Sequence, residues 1–143
     1  MARPDAHINV ITFDGQCLPF DDGSWESVLL CDVLHHTDDP VGLLKEAVRV
    51  ASHSIVIKDH VVRGVLARPT LQFMDFVGNA PHGVALPYNY LSEHEWARAF
   101  EQCGLKLAAE HRRLDMYPWI ADWLFGRSLH FIARLDVARE QAC

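Results

Sequence analysis

The sequence lacks an excess of basic residues. Lysine and arginine total 13 against 19 aspartates and glutamates, which gives a formal net charge of −6. A protein that holds nucleic acid or an anionic membrane surface by electrostatic attraction needs clustered positive charge. The acids here are spread along the chain, so we expect neither nucleic acid nor membrane as a partner.

Long apolar runs are also missing. The most apolar late stretch, residues 117–135, is interrupted by Asp122, Arg127 and His130. No basic segment followed by an apolar segment precedes the first strand, so we expect neither a signal peptide nor a membrane span. The cysteines form no CxxC pair and show no ligand spacing, which favours free thiols in a reducing, cytoplasmic compartment. They are Cys17, Cys31, Cys103 and Cys143.

Hydrophobic residues make up half of the 143-residue chain, enough to bury one core of ordinary size. The sequence shows no internal repeat, low-complexity tract or linker. We therefore predict a single domain over residues 1–143.

The first sixty residues predict alternating strands and a helix. The run from Val28 to Cys31 is continuously apolar, which is typical of a strand covered on both faces. After it, Pro40 opens a helix with Thr37 or Asp38 as the N-cap. Strand, helix and strand at this spacing form a βαβ unit and favour a parallel α/β sheet. The three predicted strands are 8–13, 25–31 and 54–58.

The second half of the chain predicts two helices and two strands. Ser92 and Glu95 have the spacing of a capping box, and Gly104 ends the helix that follows. The other predicted elements are a helix at 69–77 and strands at 105–112 and 129–135. Between those strands, Trp119 and Trp123 lie one helical turn apart near Phe125, and we interpret them as core or as a dimer face rather than a substrate lid.

Polar residues follow each of the three early strands. They are Asp14-Gly15, the segment from Cys31 to His36, and Asp59-His60. In an open parallel sheet, ligands bind beyond the carboxyl ends of the strands. We therefore expect these residues to surround one ligand site.

These segments also carry a family resemblance. "FDGQCLPFDDGSWESVLLCDVLHHTDDPVGLLKEAVRV", followed by "SIVIKDH", resembles the class I S-adenosylmethionine-dependent methyltransferases of the small-molecule, type 11-like kind. The LPF, LHH and ExxRV segments occur in the family's order, and "FMDFVGNAPHGVALPYNYLSEHEW" resembles a subgroup of it. The resemblance implies a Rossmann-like α/β sheet with flanking helices, S-adenosylmethionine as cofactor and a small-molecule methyl acceptor.

The resemblance also implies roles for individual residues. Asp14 and the Gly15 backbone would lie beside the cofactor adenine, with Cys31 and Asp32 under its methionine part. His35 and His36 would border the cleft. The substrate side would be lined by Asp59, His60, Tyr88 and Tyr90. The candidate catalytic bases are His35, His36 and His60.

One part of the family pattern is missing from the printed sequence. No strand, glycine-rich GxGxG turn or second strand precedes Ile8. In the family, these first two strands lie between the strand at Ile8 and the strand at Val28. We therefore expect an incomplete sheet, poor binding of S-adenosylmethionine by this chain alone, and a homodimer formed through exposed strand edges.

Simpler interpretations of several residues stay open. Asp14 alternatively stabilises its own turn as an Asx residue, and Asp59 alternatively caps a following helix. Strand-end histidines also bond to backbone or face solvent. The adjacent pair His35-His36 lacks metal-ligand spacing, so no metal site is predicted. For the whole chain, the alternative to an enzyme is a non-catalytic module that acts as an interaction or regulatory partner.

Overall fold

The computed structural model describes residues 9–112, 114 and 129–138. In this part of the chain, four strands form one sheet in the order β1-β2-β4-β3. The elements are β1 (Trp25–Cys31), α1 (Pro40–Val50), β2 (Ala51–His60), α2 (Ala67–Asn79), α3 (Glu93–Gln102), β3 (Leu105–His111) and β4 (His130–Val137). Short 3-10 turns at Leu34–His36 and Ala80–His82 complete the set.

The sheet is mixed. β1 and β2 are parallel, with Val28 opposite Ile55, as the βαβ prediction requires. β4 runs antiparallel to both of its neighbours, β2 and β3. The parallel pairing predicted for the βαβ unit is therefore confirmed, and the two later strands add an antiparallel half to the sheet. A long crossover links β1 to β2, whereas β3 and β4 pair as an antiparallel ladder that needs no crossover helix.

Helix α1 packs against β2 and begins at Pro40, as predicted, but its N-cap is neither Thr37 nor Asp38. Asp39 is the N-cap, and its Oδ1 accepts a hydrogen bond from the Gly42 backbone at 2.8 Å. Thr37 is not available as a cap, because its hydroxyl and its amide both donate to the Leu34 carbonyl and close the preceding 3-10 turn. Four apolar residues at helical spacing form its buried face: Leu43, Leu44, Ala47 and Val50.

Helix α3 has the predicted capping box. The Ser92 hydroxyl accepts from the Glu95 amide at 3.4 Å, and the Glu95 carboxylate accepts from the Ser92 amide at 2.8 Å. The first turn also supplies Trp96, whose ring lies 5.1 Å from that of Phe131 on β4. The Trp96 indole Nε1 donates to the carbonyl oxygen of His60 at 3.0 Å. Helix α3 is thus fixed to the carboxyl end of β2.

The strand predicted at 8–13 is not formed. Residues 9–13 have no regular structure, and Val10 and Ile11 are 68% and 57% exposed. A β-strand needs a hydrogen-bonded neighbour, and β1 pairs only with β2 among the described residues. The β-branched composition that predicted the strand is therefore not sufficient to form it. Predictions for Trp119, Trp123, Phe125 and Cys143 lie outside the described residues.

The loop before β1 is fastened to α1 by Arg49. Its guanidinium donates to the carbonyl oxygens of Leu18 at 2.9 Å and Phe20 at 2.8 Å. Glu46 accepts from the Leu18 amide at 3.0 Å and from Arg49. The hydrogen bond from Arg49 lowers the pKa of Glu46 to about 2. The segment after Asp14 therefore keeps a defined position although the strand before it is not formed.

Cys17, Cys31 and Cys103 carry free thiols, as predicted. Burial raises the pKa of the half-buried Cys103 thiol. None of the helices in the described ranges combines the length and the apolar character needed to cross a bilayer.

Candidate functional site

Buried polar side chains gather beyond the carboxyl ends of β1 and β2. His35 follows β1, Asp59 and His60 end β2, and His130 begins β4 beside them. Asp75 on α2 and Tyr90 from the loop before α3 complete the cluster. These six side chains belong to residues at most 7% exposed. Burial of this much polar surface needs compensating hydrogen bonds.

Asp59 is the centre of this network. Its carboxylate accepts hydrogen bonds from His35 Nδ1 at 2.5 Å, the His60 amide at 2.7 Å and the Leu34 amide at 3.1 Å. Burial alone would raise the pKa of Asp59, but the hydrogen bonds from His35 and His60 lower it well below its usual range. Asp59 is therefore an anion in the core. It caps no helix after β2, because α2 begins only at Ala67.

His35 lies between two carboxylates. Its Nδ1 donates to Asp59, and its Nε2 is 3.6 Å from Asp75 Oδ2, beyond hydrogen-bond distance. Burial lowers the pKa of His35, but the hydrogen bond with Asp59 and the charge of Asp75 outweigh it and raise the pKa to about 9. At neutral pH this imidazole is therefore a cation with a proton on both nitrogens, which makes it a poor general base.

Asp75 is a site residue that the sequence did not predict. Its carboxylate accepts from the Tyr90 hydroxyl and from Asn79 Nδ2, the latter at 3.5 Å. Burial raises the pKa of Asp75, yet the nearby charge of His35 and the hydrogen bond from Tyr90 lower it overall, while burial and the Asp75 contact raise the pKa of Tyr90. A signal was present in the sequence: Asp75 follows Ala67 and Leu71 at four-residue intervals on the buried stripe of α2.

The cluster borders a cavity of about 280 Å³. One wall carries the ion pair between Asp32 and Lys58, whose Nζ lies 2.5 Å from Asp32 Oδ2. His130 also lines the cavity, and burial lowers its pKa to about 4. The side chains that line it come from the segment after β1 and from β2, α2 and β4. They are Asp32, His35, His36, Lys58, His60, Met74, Asp75, Asn79 and His130.

A second cavity of about 430 Å³ shares His36 with the first. Asp14, Gly15 and Gln16 form one of its walls, and the segment from His36 to Asp39 forms another. His36 lines both cavities and donates from Nδ1 to the Ala85 carbonyl at 3.1 Å. The turn at Asp14 and the segment after β1 thus line two cavities that share His36.

The structure places the remaining predicted residues around these spaces. Asp14 Oδ1 accepts from the amides of Gln16 and Cys17 at 2.8 Å each, which is the turn-stabilising role. Cys31 is exposed at the end of β1. The ring of Tyr88 lies 6.2 Å from that of Tyr90, and Tyr88 itself has a positive φ of 58°. Of the predicted residues, the structure brings together His35, Asp59, His60 and Tyr90. His36 lines both the cavity beside this cluster and the cavity that contains Asp14.

Comparison with known proteins agrees with the resemblance in the sequence. Residues 1–54 match the family model described as "Methyltransferase domain". The matched segment includes the LPF, LHH and ExxRV series. No curated protein matches the chain.

Solved structures share the fold. A chain from the complex between the Haloferax volcanii methyltransferase activator Trm112 and a methyltransferase matches 91% of this chain with a TM-score of 0.63 and 19% identity. A methyltransferase of Bacillus halodurans C-125 matches 89% of this chain with a TM-score of 0.60 and 15% identity. The chain has a methyltransferase fold. It is similar to class I S-adenosylmethionine-dependent methyltransferases in its first segment and in its mixed sheet with flanking helices.

The methyltransferase fold is present here in part. The chain spans 61% of the Haloferax volcanii protein and 70% of the Bacillus halodurans protein. The described sheet contains no strand on the outer side of β1. The resemblance in the sequence implies that the glycine-rich strand of a complete family member would lie on this outer side of β1.

Proposed function

We propose that this chain carries the acceptor side of an S-adenosylmethionine-dependent methyltransferase that acts on a small molecule in the cytoplasm. The observation that supports it is the pair of adjacent cavities that share His36. The larger cavity is lined by Asp14 and Gly15, which the resemblance assigns to the cofactor adenine. The smaller is lined by Asp32, assigned to the methionine part of the cofactor, and by His60, assigned to the acceptor. The free thiols are consistent with a reducing compartment.

The residues present fit one side of the methyl donor. Asp14 and Gly15 line a cavity of about 430 Å³, a volume in the usual range for ligand pockets. Gly15 has a φ of 81°, and no atom lies within 4 Å of where a Cβ would stand, so its backbone faces open space. When bound, S-adenosylmethionine would supply an electrophilic methyl group on a sulfonium. Asp14 and Gly15 would hold its adenine end, and no glycine-rich turn is available in this chain to hold the rest.

The smaller cavity has the properties of a site for a compact acceptor. Its volume of about 280 Å³ limits the acceptor to a small molecule. Its polar lining orients that acceptor, and correct alignment of the reacting atoms contributes up to about 7–11 kcal/mol to such a displacement. The acceptor atom donates an electron pair to the methyl carbon while the carbon–sulfur pair stays on sulfur. An acceptor that carries a proton must also lose it, and of the three predicted histidines only His36 and His60 remain for that task.

The first prediction tests the donor cavity. S-adenosylhomocysteine added at millimolar concentration to the ¹⁵N-labelled chain is expected to shift amide signals of residues 14–16 and 36–43. We expect a dissociation constant weaker than about 100 μM, a binding free energy smaller than about 5.5 kcal/mol. The reason is that the described residues supply one wall of the proposed cofactor site.

Matched variants make this titration specific. Asp14→Ala is expected to remove the shifts, whereas Asp21→Ala, which replaces an acid lining a different cavity, is expected to keep them. Shifts centred on Trp25 and Arg49, or no shifts at millimolar ligand, would contradict the proposed donor site.

The alternative function is a non-catalytic module that pairs with another chain. It is favoured by the outer edge of β1, which pairs with no other strand in the described part of the chain. Leu29 and Trp25 on this strand are 66% and 49% exposed. Unpaired strand edges with apolar side chains promote association. We accordingly propose a homodimer through this edge.

The dimer prediction is tested by light scattering at micromolar concentration. The unmodified chain is expected to show the mass of a dimer, and Leu29→Lys is expected to shift it toward the monomer because a charge would be buried at the new edge contact. Val65→Lys provides the control, since Val65 is 97% exposed and lies outside the strands. A monomer mass for the unmodified chain would refute the proposed edge pairing.

A further inference from the structure

Two adjacent histidines and one aspartate from a distant helix converge on the smaller cavity. His35 and His36 lie in the 3-10 turn after β1, and Asp75 lies on α2. Each offers a potential ligand atom within 4.8 Å of the other two. The separation between His35 Nε2 and Asp75 Oδ2 is 3.6 Å. Ligand atoms about 2.1 Å from a tetrahedral metal ion lie about 3.4 Å apart, so this pair is already close to the required separation.

The hydrogen bonds of His35 leave the correct nitrogen available. Its Nδ1 donates to the Asp59 carboxylate at 2.5 Å. Its Nε2 is buried, faces Asp75 and has no hydrogen-bond partner among the described residues. Metal-binding histidines usually donate one ring N–H to a carboxylate or a carbonyl and bind the metal through the other nitrogen. The Asp59–His35 pair has this arrangement.

His36 has the same arrangement with a different acceptor. Its Nδ1 lies 3.1 Å from the carbonyl oxygen of Ala85, which can only accept a hydrogen bond. The Nδ1 atom must therefore carry the proton, and Nε2 keeps its lone pair. The rings of His35 and His36 are 4.1 Å apart, and both line the same cavity.

The third group, Asp75, is also held in place by its neighbours. Tyr90 donates to Oδ2 and Asn79 Nδ2 approaches Oδ1 at 3.5 Å. Each carboxylate oxygen has two lone pairs, so these contacts leave positions open on both. All three groups are thus oriented by contacts with residues outside the trio.

We propose that His35, His36 and Asp75 bind a divalent first-row transition-metal ion, with its open coordination positions facing the smaller cavity. Two imidazoles and one carboxylate suit ions such as Zn²⁺ and Co²⁺. The ion would take the place of the proton on His35 Nε2. Sequence spacing did not indicate this site, because its third ligand is 39 positions from His36 and only the packing of α2 brings it near. With His36 as a ligand, His60 is the histidine left to accept a proton.

Metal titration of the full chain tests this site without a methyl donor or acceptor, so its outcome is independent of the proposed methyl transfer. After chelator treatment, isothermal calorimetry is expected to show one Zn²⁺ bound per chain, and Co²⁺ is expected to give visible absorption bands of a site with nitrogen and oxygen ligands. Asp59→Asn is expected to weaken binding about 10–100-fold, as changes in groups that orient a ligand do. Asp75→Asn and His36→Gln are expected to weaken it further.

The controls separate this site from others. His94→Gln removes an exposed histidine on α3 and is expected to bind Zn²⁺ like the unmodified chain. Circular dichroism verifies that each variant is folded, and the half-exposed His36 provides the variant least dependent on core packing. If His36→Gln and Asp75→Asn bound Zn²⁺ as tightly as the unmodified chain does, the proposal would be overturned. Loss of binding in Asp32→Asn and His60→Gln alone would overturn it as well, by assigning the ion to the neighbouring Asp32, His35 and His60 group.

Discussion

Replacing Asp59 by alanine is expected to lower the free energy of unfolding by about 3–5 kcal/mol, the usual cost of removing one partner from a buried ion pair. The Asp59 side chain is 1% exposed and bonds His35, itself held as a cation between two carboxylates. Without Asp59, the His35 ring and the amides of Leu34 and His60 lose their acceptor inside the core. Urea unfolding followed by circular dichroism measures the difference.

An exposed ion pair provides the matched control. Arg134 and Asp136 on β4 lie 3.2 Å apart with side chains 61% and 52% exposed. Asp136→Ala is therefore expected to cost about 0–1 kcal/mol. If Asp59→Ala and Asp136→Ala unfolded at the same urea concentration, the buried network would not contribute to stability as described.

The second large effect is expected for Trp96→Ala, at about 3–5 kcal/mol of unfolding free energy. Trp96 is 5% exposed, packs against Phe100 and Phe131, and bonds the His60 carbonyl. Its removal leaves a cavity between α3 and the sheet. Thermal unfolding monitored by circular dichroism measures the loss.

A conservative variant divides this effect into packing and hydrogen bonding. Trp96→Phe keeps an aromatic ring but leaves the His60 carbonyl without the indole donor, so we expect a smaller loss, about 1–3 kcal/mol. Val77→Ala removes an exposed apolar side chain from α2 and is expected to change stability little. A Trp96→Ala variant as stable as Val77→Ala would show that α3 does not depend on this contact.

Local signals in the sequence predicted most of the elements. The Pro40 start of α1, the Ser92 and Glu95 capping box of α3 and the apolar runs of β1 and β2 all depend on residues within a few positions of one another. Their physical basis is local hydrogen bonding and side-chain periodicity, which a single sequence displays. The helix at 69–77 was likewise found, within the longer α2.

Features that depend on distant partners were not predicted. The segment at 9–13 has the composition of a strand but no adjacent strand to pair with, so composition alone gave the wrong result. In the candidate site, His35, Asp59, His60 and Tyr90 were identified, whereas Asp75 and His130 were not. Asp75 reaches the site because α2 packs beside it. His130 reaches the site because β4 pairs with β2 in an antiparallel register that places His130 opposite His60.

The position of β4 has a consequence for how the chain folds. This strand is the last described element, yet it lies between β2 and β3 and supplies the only ladder that joins them among the described residues. During synthesis, β1 and β2 can pair early, but β3 has no adjacent strand within the described ranges until residues 130–137 emerge. Contacts between residues so distant along the chain are entropically costly and slow to form. The completed sheet, and with it the histidine cluster at the end of β2, is therefore a late product of folding.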